Sequence, residues 1–171
     1  IALLILGLAY NAYALGKETL RLGAYRPLFG LQTEDEFLAE HVPGYNAIRF
    51  INEQTHPEVN VLCVKTGNFG YYFDRPFFAE SFMDERVFLN YLDTSDSADY
   101  LARSLLLDGF THLLVNQHFV EHELSDTQAE LWQSFLDQRG RIVFNEEGFA
   151  VVEVLTANRS GQESTVEYSA G

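Results

Sequence analysis

The five residues from His118 to His122, His-Phe-Val-Glu-His, have the types and the spacing of a metal site. Residues four apart lie on one face of a helix, so His118 and His122 could bind one zinc ion there, with Glu121 as a general base. The pattern fixes only three positions, so chance matches are common. It follows a predicted strand and no helical pattern surrounds it. We therefore expect a solvated turn, and a zinc hydrolase is the third of our functional hypotheses.

A glycine-containing loop, Lys-Thr-Gly-Asn-Phe-Gly, follows a buried apolar run and spans residues 65–70. Ligands bind beyond the carboxyl ends of strands in open α/β sheets, and Gly67 and Gly70 would let a phosphate approach the backbone. A phosphate loop needs a helix N-terminus directly after its glycines, whereas the aromatic run 71–73 favours extended chain. Neither glycine-rich nucleotide motif is present in the sequence. We predict no cofactor and no metal.

The arrangement of the carboxylates argues against acid–base catalysis, and the net charge argues against binding to nucleic acid. Adjacent acids at 34–36 and 84–85 do not face each other on a helix, so we interpret them as charges that favour the helix dipole in a first turn. We predict no catalytic residue. The chain carries 11 Lys and Arg against 25 Asp and Glu, a formal net charge of -14. Phosphate contacts need clustered cations, so we predict no nucleic-acid partner.

The elements that position these residues alternate between strand and helix. Runs rich in β-branched residues predict buried strands at 58–64 and 111–116, and a hairpin is predicted from strands 141–145 and 149–155. Capping residues and apolar periodicity predict helices at 33–42, 45–54, 84–92, 95–110 and 124–140. This order predicts an α/β fold with a mainly parallel central sheet, helices on both faces and a C-terminal antiparallel hairpin at the edge, preceded by an N-terminal apolar helix.

The N-terminal block has the character of a membrane helix. It is uncharged from Ile1 to Gly16, which is shorter than the roughly 20 residues that span a bilayer. Two tyrosines close to Lys17 and Arg21 resemble the aromatic and basic rim of a membrane helix. We predict that residues 1–22 are the remnant of a transmembrane helix, with an ordinary buried helix as the alternative.

The rest of the chain has the composition of one domain. We predict a soluble α/β domain at 23–156 and a flexible polar tail at 157–171. The only methionine is Met83, so we expect the chain to be a piece of a longer or processed protein. The one cysteine, Cys63, lies in an apolar run and is expected to behave as a small buried group.

Four stretches in this order resemble a known family. They are an acidic helix start "GLQTEDEFL", an aromatic helix "YNAIRFIN", the tyrosines and Arg-Pro of "YYFDRP", and "GFTHLLVN". Together they resemble the C-terminal soluble region of polytopic GT-C glycosyltransferases, namely bacterial dolichyl-phosphate-mannose-protein mannosyltransferase-like membrane proteins. The resemblance covers about residues 20 to 155.

The resemblance implies sugar transfer from a polyprenyl-phosphate donor on the extracytoplasmic, or periplasmic, side of the membrane. The family's catalytic acids lie in an early loop between membrane helices, which this chain does not contain. The resemblance therefore implies a non-catalytic domain whose partners are its own transmembrane domain, the membrane and the polyprenyl-phosphate sugar donor. Lys17, Arg21 and Arg26 favour a cytoplasmic side, but long translocated domains override that charge bias.

Candidate substrate-binding residues lie in the Arg-Pro stretch: Tyr71, Tyr72, Asp74 and Arg75. Aromatic rings stack on sugars, and an arginine can bind phosphate in a bidentate way. The structural alternative is that Arg75 anchors the loop to the sheet through hydrogen bonds. The leading hypothesis is thus an accessory domain that assists acceptor or donor recognition. The rival hypothesis from another class is a free-standing small-molecule-binding α/β module.

Overall fold

The computed structural model describes residues 2–67, 69–80 and 86–156. They belong to two compact units, one ending at Pro43 and the other beginning at Gly44. The predicted tail at 157–171 and the first two residues of the predicted helix 84–92 lie outside the described residues. The predicted domain boundary after residue 22 stays a prediction.

The first unit is helical and contains α1 (Ala2–Arg21), α2 (Tyr25–Leu28) and α3 (Glu34–His41). The capping box that starts α3 is confirmed, because Thr33 and Glu36 exchange side-chain and backbone hydrogen bonds. The leucines of α1 are exposed, and 87% of the surface of Leu3 is accessible to solvent. In the described ranges, no helix has both the length and the apolar character required to cross a bilayer. The predicted N-terminal apolar helix is therefore not supported, because α1 lacks the apolar character of a membrane span. That residues 1–22 are the remnant of a longer transmembrane helix stays a prediction.

The second unit alternates helices and strands, and its helices begin where the sequence supplies capping side chains. Ser97 accepts a hydrogen bond from the Tyr100 amide, and Ser125 forms a capping box with Gln128. In chain order the elements are α4 (Tyr45–Gln54), β1 (Val61–Val64), β2 (Phe77–Ala79), α5 (Val87–Thr94), α6 (Ala98–Leu107), β3 (His112–Asn116), α7 (Gln117–His122), α8 (Asp126–Gln138), β4 (Gly140–Glu146) and β5 (Phe149–Val154).

The five strands form one mixed sheet in the order β2-β1-β3-β5-β4. β1 pairs in parallel with β2 and β3, whereas β5 pairs antiparallel with β3 and β4. The α/β class and the hairpin at the sheet edge are confirmed, but the prediction of a mainly parallel sheet is wrong. The reason is that β5 of the hairpin pairs with β3 as well as with β4. The sheet therefore has two antiparallel pairings, β3–β5 and β4–β5, and two parallel pairings, β1–β2 and β1–β3.

Alternate strand residues point to opposite faces of the sheet and form two cores. We call the first the three-helix face, after the three longer helices α5, α6 and α8, whose buried residues pack there with Leu62, Leu113 and Val152. Phe119 of the short helix α7 joins them. We call the second the loop face: Cys63, Leu114 and Val151 pack there against Ala47, Ile48 and Ile51 of α4. Helices therefore cover both faces, as predicted.

Cys63 is confirmed as a buried apolar group. Its side chain packs on the loop face, and only 1% of the residue's surface is exposed to solvent. Burial raises the pKa of its thiol to about 12, and a hydrogen bond with Thr66 offsets this only partly. The thiolate is the reactive form of cysteine, so this thiol is chemically inert at neutral pH.

Candidate functional site

Residues 69–75 belong to the connection between β1 and β2, and we call them the 69–75 loop. The loop contains a 3₁₀ turn at Gly70–Tyr72. The prediction of extended chain through the tyrosines is therefore wrong. The turn packs tightly on β2, since a Cβ atom on Gly70 would lie 2.6 Å from the Phe77 ring. Glycine makes this approach without displacing the Phe77 ring, and that local packing outweighs the aromatic preference for extended backbone.

Asn52, in the last turn of α4, holds this loop with three hydrogen bonds. Its side-chain Nδ2 donates to the Tyr72 carbonyl at 2.8 Å, and its Oδ1 accepts from the Asp74 amide at 3.0 Å. The Arg75 guanidinium in turn donates to the Asn52 carbonyl. The last carbonyls of a helix lack intrahelical partners, so Arg75 supplies a donor that α4 needs at this end.

Arg75 thus has a structural role, but with a different partner from the one predicted. It anchors the 69–75 loop to the C-terminal end of α4 and not to the sheet. Its side chain is partly buried in this contact. A guanidinium already bonded to a carbonyl at a helix end is a poor candidate for bidentate phosphate binding.

The two tyrosines of the loop have different surroundings. Tyr72 packs edge-on against Tyr45 with 5.5 Å between ring centroids, and it contacts the buried cluster of the loop face together with Phe69 and Phe73. Tyr71 packs edge-on against Tyr72 at 5.5 Å, yet it keeps 94% of its surface exposed. Such edge-to-face pairs stabilise ring positions by about 0.5–1.5 kcal/mol. Tyr72 therefore supports the ring that Tyr71 presents.

The structure sorts the four predicted site residues into two pairs. Tyr72 and Arg75 are partly buried and build the loop, whereas Tyr71 and Asp74 have exposed side chains. All four lie in one short loop held by a helix end. Tyr71 and Asp74 are the pair that a ligand in solvent can reach.

Asn116, the last residue of β3, performs a similar task for the start of the glycine loop. Its Nδ2 donates to the Lys65 carbonyl at 3.2 Å, and its Oδ1 accepts from the His118 amide at 3.0 Å. Lys65 has a left-handed backbone with φ of 51°, which costs roughly 1–2 kcal/mol for a residue other than glycine. The Lys65 ammonium lies 5.8 Å from the centroid of the Phe119 ring.

The prediction of a solvated turn at 118–122 is wrong, because these residues belong to helix α7. Two features explain the helix: Asn116 caps it, and Phe119 anchors it with only 3% of its surface exposed. Among the residues that the structure describes, no group of three or more His, Cys, Asp or Glu side chains is placed to hold a metal. A three-ligand catalytic zinc site is thus not formed in this part of the chain.

Asn52 and Asn116 are the residues that sequence reasoning missed. Each ends a stretch that carries the family resemblance, "YNAIRFIN" for Asn52 and "GFTHLLVN" for Asn116, and each bonds to the chain between Lys65 and Arg75. No family model, no curated protein and no solved structure matches this chain. The finding that both stretches bond to the chain between Lys65 and Arg75 therefore comes from this structure alone.

The opposite end of β3 carries a buried histidine. Only 8% of the surface of His112 is exposed, and its Nδ1 atom lies 3.1 Å from the Thr111 hydroxyl oxygen. Burial lowers the pKa of His112, against a smaller opposing effect of Glu153, the residue that pairs with it on β5. Arg141 lowers the pKa further. The two ends of β3 thus differ, with a hydrogen-bonded loop anchor at Asn116 and a buried imidazole of lowered pKa at His112.

Proposed function

We propose that this chain is a non-catalytic extracytoplasmic domain of a membrane glycosyltransferase that uses a polyprenyl-phosphate sugar donor, and that Tyr71 and Asp74 take part in sugar recognition. One observation carries the proposal: two of the four stretches that resemble the family, "YNAIRFIN" and "YYFDRP", meet at the 69–75 loop. This loop presents an almost fully exposed tyrosine on a backbone held by hydrogen bonds. Because the backbone is already ordered, a ligand that binds Tyr71 does not have to order the loop, which lowers the entropic cost of binding.

The chemistry of the loop favours the sugar ring over the phosphate of the donor. The exposed face of Tyr71 can stack on the C–H face of a sugar, and the Asp74 carboxylate can accept hydrogen bonds from sugar hydroxyls. The Arg75 guanidinium is already bonded to α4, and the chain has a net charge of -14. Both features disfavour a phosphate ligand at this loop.

The proposal gives residues 1–22 a role as the end of a membrane helix. The exposed leucines of α1 would then contact lipid or the protein's own transmembrane domain, since large exposed apolar surfaces mark sites of interaction. The sequence encoded directly before Ile1 tests this part. Several membrane spans support it, and a start codon immediately upstream contradicts it.

One observation favours the second candidate, a free-standing small-molecule-binding module. A cavity of about 260 Å³ lies between α6 and the residues that follow β5. Its polar lining includes Asp99, Arg103 and Arg139. This volume lies just below the roughly 300–1,000 Å³ that is usual for small-molecule sites, so the cavity would suit only a small ligand.

Sugar binding can be tested on the chain itself by NMR titration with a neutral disaccharide such as mannobiose and, separately, with a short-chain polyprenyl phosphate. We expect the disaccharide to shift the amides of residues 69–75, and Tyr71→Ala to weaken binding by roughly two- to tenfold, the equivalent of about 0.5–1.5 kcal/mol. The control is Tyr100→Ala on α6, which removes another exposed tyrosine. It should leave the shifts unchanged.

The outcomes separate the hypotheses. Shifts caused by the disaccharide around Arg139 and Asp99 would support the small-molecule module instead. Shifts at residues 69–75 with the polyprenyl phosphate alone would contradict recognition of the sugar ring. In the longer enzyme that we propose, sugar transfer that is unchanged by Tyr71→Ala and by Arg75→Ala, with folding intact, would rule out a role of the loop in recognition.

A further inference from the structure

Helix α7 is held in place from two sides, although it has only six residues. Its first turn is capped by Asn116, and Phe119 buries its apolar face against the core of the three-helix face. The remaining face carries His118 and His122, both exposed. The helix therefore presents two imidazoles to solvent from a fixed backbone.

The two histidine rings lie against each other. They are four residues apart on the helix, and their rings stack with 4.3 Å between centroids and 22° between planes. A single metal ion bound by two imidazoles needs nitrogen atoms about 2 Å from the metal on each side. The nitrogen lone pairs lie in the ring planes, so the stacked arrangement does not itself hold an ion. Rotation of the His118 side chain out of the stack would let one nitrogen of each ring face the same ion.

A backbone contact prepares one of these rings for metal binding. The Nδ1 atom of His122 lies 3.0 Å from the His118 carbonyl oxygen. A carbonyl only accepts hydrogen bonds, so Nδ1 carries the proton and Nε2 of the neutral ring keeps its lone pair. Histidines that bind metals usually donate their second ring N–H to a carbonyl or carboxylate in the same way.

We propose that His118 and His122 form a two-imidazole site for a late first-row divalent ion, with Cu²⁺ preferred over Ni²⁺ and Zn²⁺. Imidazole suits these ions, and the Irving–Williams order places Cu²⁺ first. Water fills the other coordination positions, because no third ligating group joins the pair in the described part of the chain. The net charge of -14 favours cations near the surface. The site is a binding site and carries no hydrolytic activity.

The experiment is calorimetric titration of the untagged chain with Cu²⁺, buffered by glycine, and with Ni²⁺ and Zn²⁺. We expect one ion per chain, with the tightest binding for Cu²⁺. His118→Ala and His122→Ala should each weaken binding by at least about tenfold, because even the loss of an outer-shell partner of a metal has an effect of that size. The matched control is His56→Ala, which removes an exposed histidine from another part of the second unit.

Each outcome decides the proposal. Unchanged affinity in His118→Ala or His122→Ala, or a loss of binding in His56→Ala, would overturn it. So would displacement of the bound ion by excess Ca²⁺, because this result would indicate carboxylate ligands and not imidazoles. Circular dichroism of each variant shows whether the fold is intact. In addition, paramagnetic broadening of NMR signals by Cu²⁺ should be confined to residues around α7.

Discussion

The two faces of the sheet are covered in different ways. On the three-helix face, α5, α6 and α8 supply buried side chains such as Leu92, Leu101 and Phe135, so regular helices complete the core. On the loop face, α4 is the helix in the buried cluster, and partly buried aromatics of the 69–75 loop pack beside it. The loop is thus a structural part of one core.

This difference explains how an irregular segment can hold an exposed side chain in one place. Most loops run over the surface and are mobile. The 69–75 loop instead buries Tyr72 and Phe73 partly and bonds to Asn52, while Tyr71 remains outside. The face with fewer helices therefore carries the candidate site, and the face with more helices carries the larger share of the core.

The largest effect is expected on the three-helix face. Phe135 is fully buried and its ring stacks on Trp132 with 5.3 Å between centroids. Phe135→Ala should lower the free energy of unfolding by about 3–5 kcal/mol, because it leaves a cavity in the main core. Urea denaturation followed by Trp132 fluorescence and circular dichroism measures this change. Leu107→Ala, at a position that is 79% exposed, is the control and should change stability by less than about 0.5 kcal/mol.

A smaller and local effect is expected on the loop face. Asn52→Ala removes both side-chain hydrogen bonds to the loop and should cost about 1–3 kcal/mol, since it leaves the Tyr72 carbonyl and the Asp74 amide without this partner. Hydrogen exchange should accelerate at the Asp74 amide and much less in β3. Asn90→Ala, on an exposed position of α5, should leave both stability and exchange unchanged. Equal acceleration throughout the sheet would show that the loop is not a separate local unit.

The smallest effect is a pH dependence that arises from His112. Burial lowers the pKa of this histidine in the folded state, so the unfolded state binds more protons below the ordinary histidine pKa of about 6.5. The stabilisation is fully present above that pH and is lost as the pH falls toward the lowered pKa. Denaturation at pH 7.5 and 5.5 should therefore show a larger loss of stability in the wild type than in His112→Gln. His56→Gln, at an exposed position, should match the wild type, and an equal loss in all three proteins would contradict the assignment.

Local features of the fold were predictable because their signals are contained in a few residues. The Thr33 and Glu36 capping box and the hairpin around Gly148 are examples, and both are present. The pairing of β5 with β3 was harder to predict, although the apolar run at 149–152 in β5 is typical of a central strand. Which strand of a hairpin lies inside a sheet depends on contacts across the whole domain.

For the candidate site, the sequence predicted the segment that carries it but not which of its residues are exposed. Its tyrosines, Asp74 and Arg75 stand together in the sequence, but the division between exposed and structural members depends on Asn52, which lies 20 residues before Tyr72. Helix α7 was missed for a related reason, because its cap and its buried anchor depend on where β3 ends. Single asparagines that bond to distant backbone atoms leave no periodic signal in a sequence.

The buried thiol of Cys63 has a practical consequence for labelling. Because this sulfur is enclosed and protonated, maleimide and iodoacetamide reagents should leave it unmodified in the folded chain. A second cysteine placed at position 71 would then be the site of selective attachment for a fluorophore or a spin label. The natural sequence thus already offers a background on which a single reporter can follow the loop.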